Sequence, residues 1–189
     1  MNENENYIAD AIHSWVWSGF YDAAGVNDML DDIMEEDVDE EEMRSLINQK
    51  FYEKKKQERT WPAITDCDRL DAAFEELTSL SIIAIHNAGY TMSDGLDDVS
   101  EIHSRMPQGS CRGYCFYHGQ DVERAVNGHG LSLAFGDMKD TDEGKTEIAN
   151  IIGKTLQAHG LSFEWDGDTN TRMNIPGIHW QRKLKASHS

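Results

Sequence analysis

An α+β fold is expected from the sequence: a mixed β-sheet with packed helices, preceded by an N-terminal helical region. Three observations predict it. Apolar residues recur at helical spacing through the first sixty residues. From Thr65 onward, helical stripes alternate with short apolar or alternating runs of strand type. The chain has 189 residues, including five Trp, six Phe and six Tyr, enough to bury roughly two-thirds of its unfolded surface.

Ile8, Ile12, Trp15 and Val16 share one face of a first helix, which Ser18-Gly19-Phe20-Tyr21-Asp22 interrupts. Val26, Met29, Leu30 and Ile33 stripe a second. A third follows the acidic stretch Glu35 to Glu42, carries Met43, Leu46, Ile47 and Phe51, and ends in Lys54, Lys55, Lys56 and Arg59. Acids at its start and bases at its end both complement the helix dipole. Trp61-Pro62 closes the region, because proline disfavours helix in the residue before it.

Thr65-Asp66-Cys67-Asp68 reads as a capping sequence for a helix striped by Leu70, Ala73, Phe74, Leu77 and Leu80. Ile82 to His86 is a buried strand, Asn87 to Gly95 a loop, and Val99, Ile102 and Met106 mark a helix that stops at Pro107. Gly113 to His118 is a second strand, with Tyr114, Phe116 and His118 on one face and Cys115 and Tyr117 on the other. A short helix over 120–126 and a third strand at Leu131, Leu133 and Phe135 follow. Thr141 to His159 is a longer helix with Gly160 at its C-terminal cap. Alternation at Leu161, Phe163 and Trp165, then at Ile178 and Trp180, predicts a closing hairpin with a long connection. The expected division is residues 1–60 as the helical region and 61–189 as the α+β domain, together one compact unit.

The charge balance is 35 acidic to 17 basic residues, a net charge of −18. Phosphate binding needs a concentrated Lys/Arg surface, so nucleic acid is not an expected partner. A basic protein partner is electrostatically allowed. No segment approaches the ~20 apolar residues that span a bilayer, so no membrane is expected. Met1 to Asp10 lacks the basic region and apolar run of a secretory signal. Cys67, Cys111 and Cys115, an odd count, read as free thiols in a reducing cytoplasm.

The most site-like residues are Asp66, Cys67, Asp68, His86, Tyr90, Asp94, His118 and Asp121. They fall at strand ends or helix starts, where ligand-binding loops often lie. His86, His118, Asp66 and Asp121 are the catalytic candidates, since a histidine closing each of two strands suits acid–base work or a metal. Tyr90 and Asp94 are binding candidates. Structural duties compete for the same residues: Thr65, Asp66 and Asp68 suit a helix cap, Asp121 suits the next helix start, and either histidine can bond backbone.

Cys111, Cys115 and His118 form Cys-x3-Cys-x2-His, but structural zinc takes four ligands and no second cysteine pair exists. The odd offset of Cys115 and His118 on a strand also turns them to opposite faces. Asp166-Gly167-Asp168-Thr169-Asn170 is similar to the opening of a calcium loop, yet Thr171 and Gly177 stand where that loop needs Gly and Glu. Phosphate-cradling, dinucleotide and nucleophile-elbow motifs are absent from the sequence. No metal and no cofactor are expected.

Several segments together resemble one uncharacterised bacterial family, catalogued as a domain of unknown function. They are Ser18-Gly19-Phe20-Tyr21-Asp22, Trp61-Pro62 through Asp71, Tyr114 to Asp121, Leu131 to Gly136, and Trp165-Asp166-Gly167 with Trp180. The resemblance spans nearly the whole chain in consistent order and implies no established activity. It does imply, for many members, a cysteine cluster in the loop after the first strand that looks like a metal-binding knuckle. Here that loop, Asn87 to Gly95, holds no cysteine.

Two functions remain open. The first is a non-catalytic interaction or regulatory protein with an acidic surface, in which Glu40, Glu41 and Glu42 meet a basic partner. The bland alternative for that stretch is a solvated helix start. The second is a small-molecule enzyme, hydrolase-like, using the His86/His118 cluster with or without a metal. Convergence of these residues in one pocket would favour the second.

Overall fold

The computed structural model describes residues 2–184, so residues 185–189 of the expected 61–189 domain lie outside the described residues. Among those described there are seven helices and a four-stranded mixed sheet, an α+β fold. The chain divides into two compact units, Met1–Thr65 with Gln181–Ser189, and Asp66–Trp180.

The first unit holds α1 (Glu3–Ser18), α2 (Ala23–Ile33) and α3 (Glu40–Glu58). Each begins on a side chain that accepts an otherwise orphaned backbone N–H: Asn2 from Glu5, Asp22 from Gly25 and Asp39 from Glu42. Ile8, Ile12, Val16, Val26, Leu30, Met43 and Ile47 interlock as its core. α1 ends at Gly19, whose φ is +76° and whose missing Cβ would lie 2.4 Å from the Arg182 carbonyl oxygen. Both the left-handed backbone and the close approach of the C-terminal segment therefore require glycine there. Arg182 is buried, its guanidinium 4.6 Å from the Phe20 ring centre.

The second unit runs α4 (Asp66–Ser79), β1 (Ile82–Ile85), α5 (Met92–Ser104), β2 (Gly113–Phe116), α6 (Gly119–Val126), β3 (Leu131–Asp137), α7 (Asp142–Ala158) and β4 (Met173–Ile175). The sheet order is β1-β2-β3-β4. β1 and β2 are parallel, joined through α5, and the other pairs are antiparallel. α4 buries Leu70, Phe74 and Leu77. Phe74 meets Tyr117 just past the end of β2, whereas Phe116 joins Ile83 and Val99 of α5 in a separate cluster. Phe116 at the end of β2 and Tyr117 just beyond it thus serve different helices, as continued strand alternation demands.

Two local expectations differ from the structure. α5 begins at Met92, capped by Thr91, so Met92 to Gly95 are its first turn and not loop. The closing hairpin is also displaced. Leu161 and Ile178 are buried but lie outside strands, and the strand is Met173–Ile175, paired with β3. Glu164 contributes a single bridge to Asn174, with N–O distances of 2.7 and 2.9 Å. Asp166 accepts from Asp168 N–H and the Thr171 hydroxyl, which closes the polar segment into its own turn. Pro176, lacking an N–H, follows β4 directly.

Phe74 is 2% exposed. Phe74→Ala should cost ~3–5 kcal/mol in denaturant unfolding, the range for emptying a fully packed aromatic site; a loss below ~1 kcal/mol would contradict this packing.

Candidate functional site

His86 follows the last residue of β1, and two other elements close around it. α4 supplies Phe74, stacked on the imidazole at a centroid distance of 4.4 Å, and Asp71, whose Oδ1 lies 3.4 Å from Nε2. The residue after β2 supplies Tyr117, whose hydroxyl lies 2.7 Å from Nδ1. Assigned from these partners, the tautomer carries its proton on Nε2 toward the carboxylate and accepts the phenol proton at Nδ1. The result is a carboxylate–imidazole–phenol chain. Tyr117 is sealed from solvent and Asp71 nearly so, while the His86 side chain keeps 27% exposure. Chemically the chain can hold or shift a proton. Structurally it ties α4 to the ends of β1 and β2.

His118 lies elsewhere. The β1/β2 register pairs Ile85 with Phe116, so Tyr117 stands opposite His86 and His118 is one residue further. One residue is a change of face, so His86 and His118 do not share a pocket wall. His118 is the N-terminal cap residue of α6, and its backbone N–H donates to Asp121 Oδ2 at 3.1 Å. Asp121 is 2% exposed and takes a bidentate pair from Arg172 at 2.9 and 2.6 Å. The same guanidinium donates to the Ser132 carbonyl at 2.9 Å. His118 Nδ1 is 3.2 Å from Asp121 Oδ2, but without the alignment of a hydrogen bond. Burial holds this ring below its ordinary pKa, opposed by Asp121 and Asp94 and assisted by Arg172.

The remaining candidates have local duties. Asp94 accepts from Thr91 N–H, the Thr91 hydroxyl and Tyr90 N–H, which holds its carboxyl below the usual range. Tyr90 is exposed and donates its hydroxyl to Glu123. Asp66 accepts the His179 N–H at 2.9 Å and stands in the first turn of α4 with Asp68. Cys67, Cys111 and Cys115 are buried free thiols, and burial pushes Cys115 up to about 12. Among the described residues, no group of three or more His, Cys, Asp or Glu is arranged to hold a metal ion. Glu40, Glu41 and Glu42 form the exposed first turn of α3, where Glu40 pairs with Arg44 at 2.7 Å.

Asp71, Tyr117 and Arg172 escaped the sequence reading. Asp71 is three residues from Phe74, so the helical period puts both on the face that meets His86. That signal was legible once the strand end was placed. Arg172 sits 51 residues from Asp121, and nothing local announces the pairing. It also lines an open cleft of about 350 Å³ with Glu164, Trp165, Asp166, Thr171 and Asn174. None of the residues singled out as catalytic or binding candidates lines this cleft.

Among known proteins, the family model described as "Domain of unknown function (DUF6891)" matches residues 1–184. No curated protein and no solved structure matches the chain.

Asp121→Ala should cost about 2–3 kcal/mol, measured by denaturant unfolding. That is below the ~3–5 kcal/mol of a fully buried broken pair, because Arg172 keeps 28% exposure and rehydrates in part. The purified chain should carry no stoichiometric zinc, since Cys111, Cys115 and His118 offer neither four ligands nor a common face. One zinc per chain by elemental analysis, lost on Cys115→Ser, would overturn that.

Proposed function

We propose that this chain, which belongs to the family described as a domain of unknown function, is a non-catalytic interaction or regulatory protein whose acidic surface receives a basic protein partner. The observation that carries this reading is the one-signed charge of the chain up to the first turn of α3. Residues 1–42 contain fourteen Asp and Glu and no Lys or Arg. The run ends in Glu40, Glu41 and Glu42, all exposed at the start of α3. A surface of one sign steers an oppositely charged partner and raises its capture rate.

The structural duties of the other candidates support the same reading. His86 and His118 face opposite ways, Asp94 and Asp66 cap or brace helix starts, and Asp121 neutralises Arg172. The net charge disfavours nucleic acid, and buried free thiols suit a reducing cytoplasm. No described helix is long and apolar enough to cross a membrane. The second reading, a hydrolase-like enzyme, draws on one feature, the Asp71–His86–Tyr117 chain that reaches solvent at the imidazole. Its test is turnover of a small-molecule ester or amide panel that His86→Gln abolishes.

Part of the acidic run has a local role: Asp39 caps α3, Glu40 pairs with Arg44, and Asp37 accepts from Asn2 and Asn4. The exposed Glu40–Arg44 pair is worth only ~0.3–0.5 kcal/mol, and first-turn acids add ~0.3–1 kcal/mol each through the helix dipole. Changing Glu40, Glu41 and Glu42 together to Gln, with Asp39 kept, therefore leaves the fold standing and removes three surface charges. A basic partner captured at low salt should associate more slowly with this variant, with a flatter salt dependence, because screening acts over ~8–10 Å at physiological ionic strength. Capture that ignores both salt and the triple change would refute the acidic surface as the binding face.

A further inference from the structure

We propose that His118, Asp121 and Arg172 form an acid-sensitive latch: proton uptake at His118 weakens the hold of Asp121 on Arg172 and releases the segment 164–172 that Arg172 ends.

The geometry places both competitors on one oxygen. Asp121 Oδ2 accepts from Arg172 Nη2 at 2.6 Å and from the His118 backbone N–H at 3.1 Å, and it lies 3.2 Å from His118 Nδ1. With the ring neutral, Nδ1 has no aligned partner among the described residues and Arg172 keeps the oxygen. A proton on the ring places an imidazolium 3.2 Å from the oxygen that holds Arg172, where it competes for that oxygen by charge. It also sets a second cation beside a carboxylate whose side chain is 2% exposed, in a ring that is 6% exposed. The other charge facing the ring is Asp94 at the start of α5, which attracts the imidazolium and offsets part of the repulsion from Arg172.

The sign follows from burial. The folded ring binds its proton less readily than the ordinary histidine value of 6.5, so the unfolded chain protonates first on acidification. The stabilisation linked to neutral His118 is complete above about pH 6.5 and is lost as pH falls through the lower folded value.

The segment before β4 is the element that yields. α6 is anchored by buried Val122 and Ala125 as well as by its cap. Arg172 is held by its two Nη groups alone, on Asp121 and the Ser132 carbonyl, while its Nε is buried without a hydrogen-bond partner among the described residues. Behind it, Asp166 to Thr171 bond mainly to one another, and Glu164 adds the single bridge to Asn174. Once Arg172 is displaced, the segment keeps that bridge, the Thr169 hydroxyl on Asp142 and the edge-on contact of Trp165 with Phe135, and has lost its one buried ion pair.

The test is hydrogen exchange on the full chain from about pH 8 to about pH 5, corrected for intrinsic rates, beside an NMR titration of the His118 ring. The expected result is a several-fold loss of protection confined to 164–174, with its midpoint at the titration of His118. In His118→Gln that pH step should vanish. Protection that stays constant to pH 5, a loss spread equally over α4 and the sheet, or an unchanged step in His118→Gln would each overturn the latch. If His118→Gln does not fold, the midpoint in the unaltered chain decides: a step that tracks another histidine overturns it as well.

Discussion

Asp121 is a buried carboxylate, and an ionised carboxylate removed from water costs several kcal/mol unless donors replace its hydration. The chain meets that demand with three donors from two segments. The backbone N–H of His118 approaches from the start of α6, and both terminal nitrogens of Arg172 approach from the segment before β4. Arg172 then uses its remaining reach on the Ser132 carbonyl of β3. The start of α6, the start of β3 and the approach to β4 are therefore fixed by one charge. The β3/β4 pairing spans only three residue pairs, too few to hold an edge strand by backbone bonds alone.

A second polar tie lies on the other face of the sheet. Asp71, His86 and Tyr117 link α4 to the ends of the parallel pair β1/β2, with Phe74 stacked over the imidazole. Parallel strands lack the tight hairpin that locks an antiparallel pair, so a side-chain brace at their common end has a mechanical purpose. It also uses both ring nitrogens of His86. The two histidines that look like a catalytic pair in sequence are thus the centres of two separate braces on opposite faces.

The surface of the helical unit follows a different logic. Its acids divide into those with a structural partner, such as Asp39 on the α3 backbone and Glu40 on Arg44, and those exposed beside them. The former stabilise helix starts through short-range bonds and the dipole. The latter add charge of one sign without a fold-level requirement, which is why the proposed binding face is placed there.

The sequence by itself determined the elements whose signal is local. Periodic stripes such as Leu70, Phe74 and Leu77 identify α4, and alternation assigns Phe116 and Tyr117 to opposite faces of β2. The capping sequence Thr65-Asp66-Cys67-Asp68 and the helix read from Thr141 mark the starts of α4 and α7 within a turn. The sequence also put Asp66, His86, His118 and Asp121 beside the strand ends and helix starts where they lie. Only the tertiary structure decided which of them meet. The parallel register separates His86 from His118 by one residue and hence by one face. The pairing of Asp121 with Arg172 crosses 51 positions, and β4 is a three-residue strand whose buried–exposed–buried pattern is too short to stand out from Leu161 or Ile178 nearby. Periodicity and capping act within a few residues of backbone, so they are written in the local sequence. Register and charge pairing depend on where the chain returns after a long loop, and no local pattern encodes that.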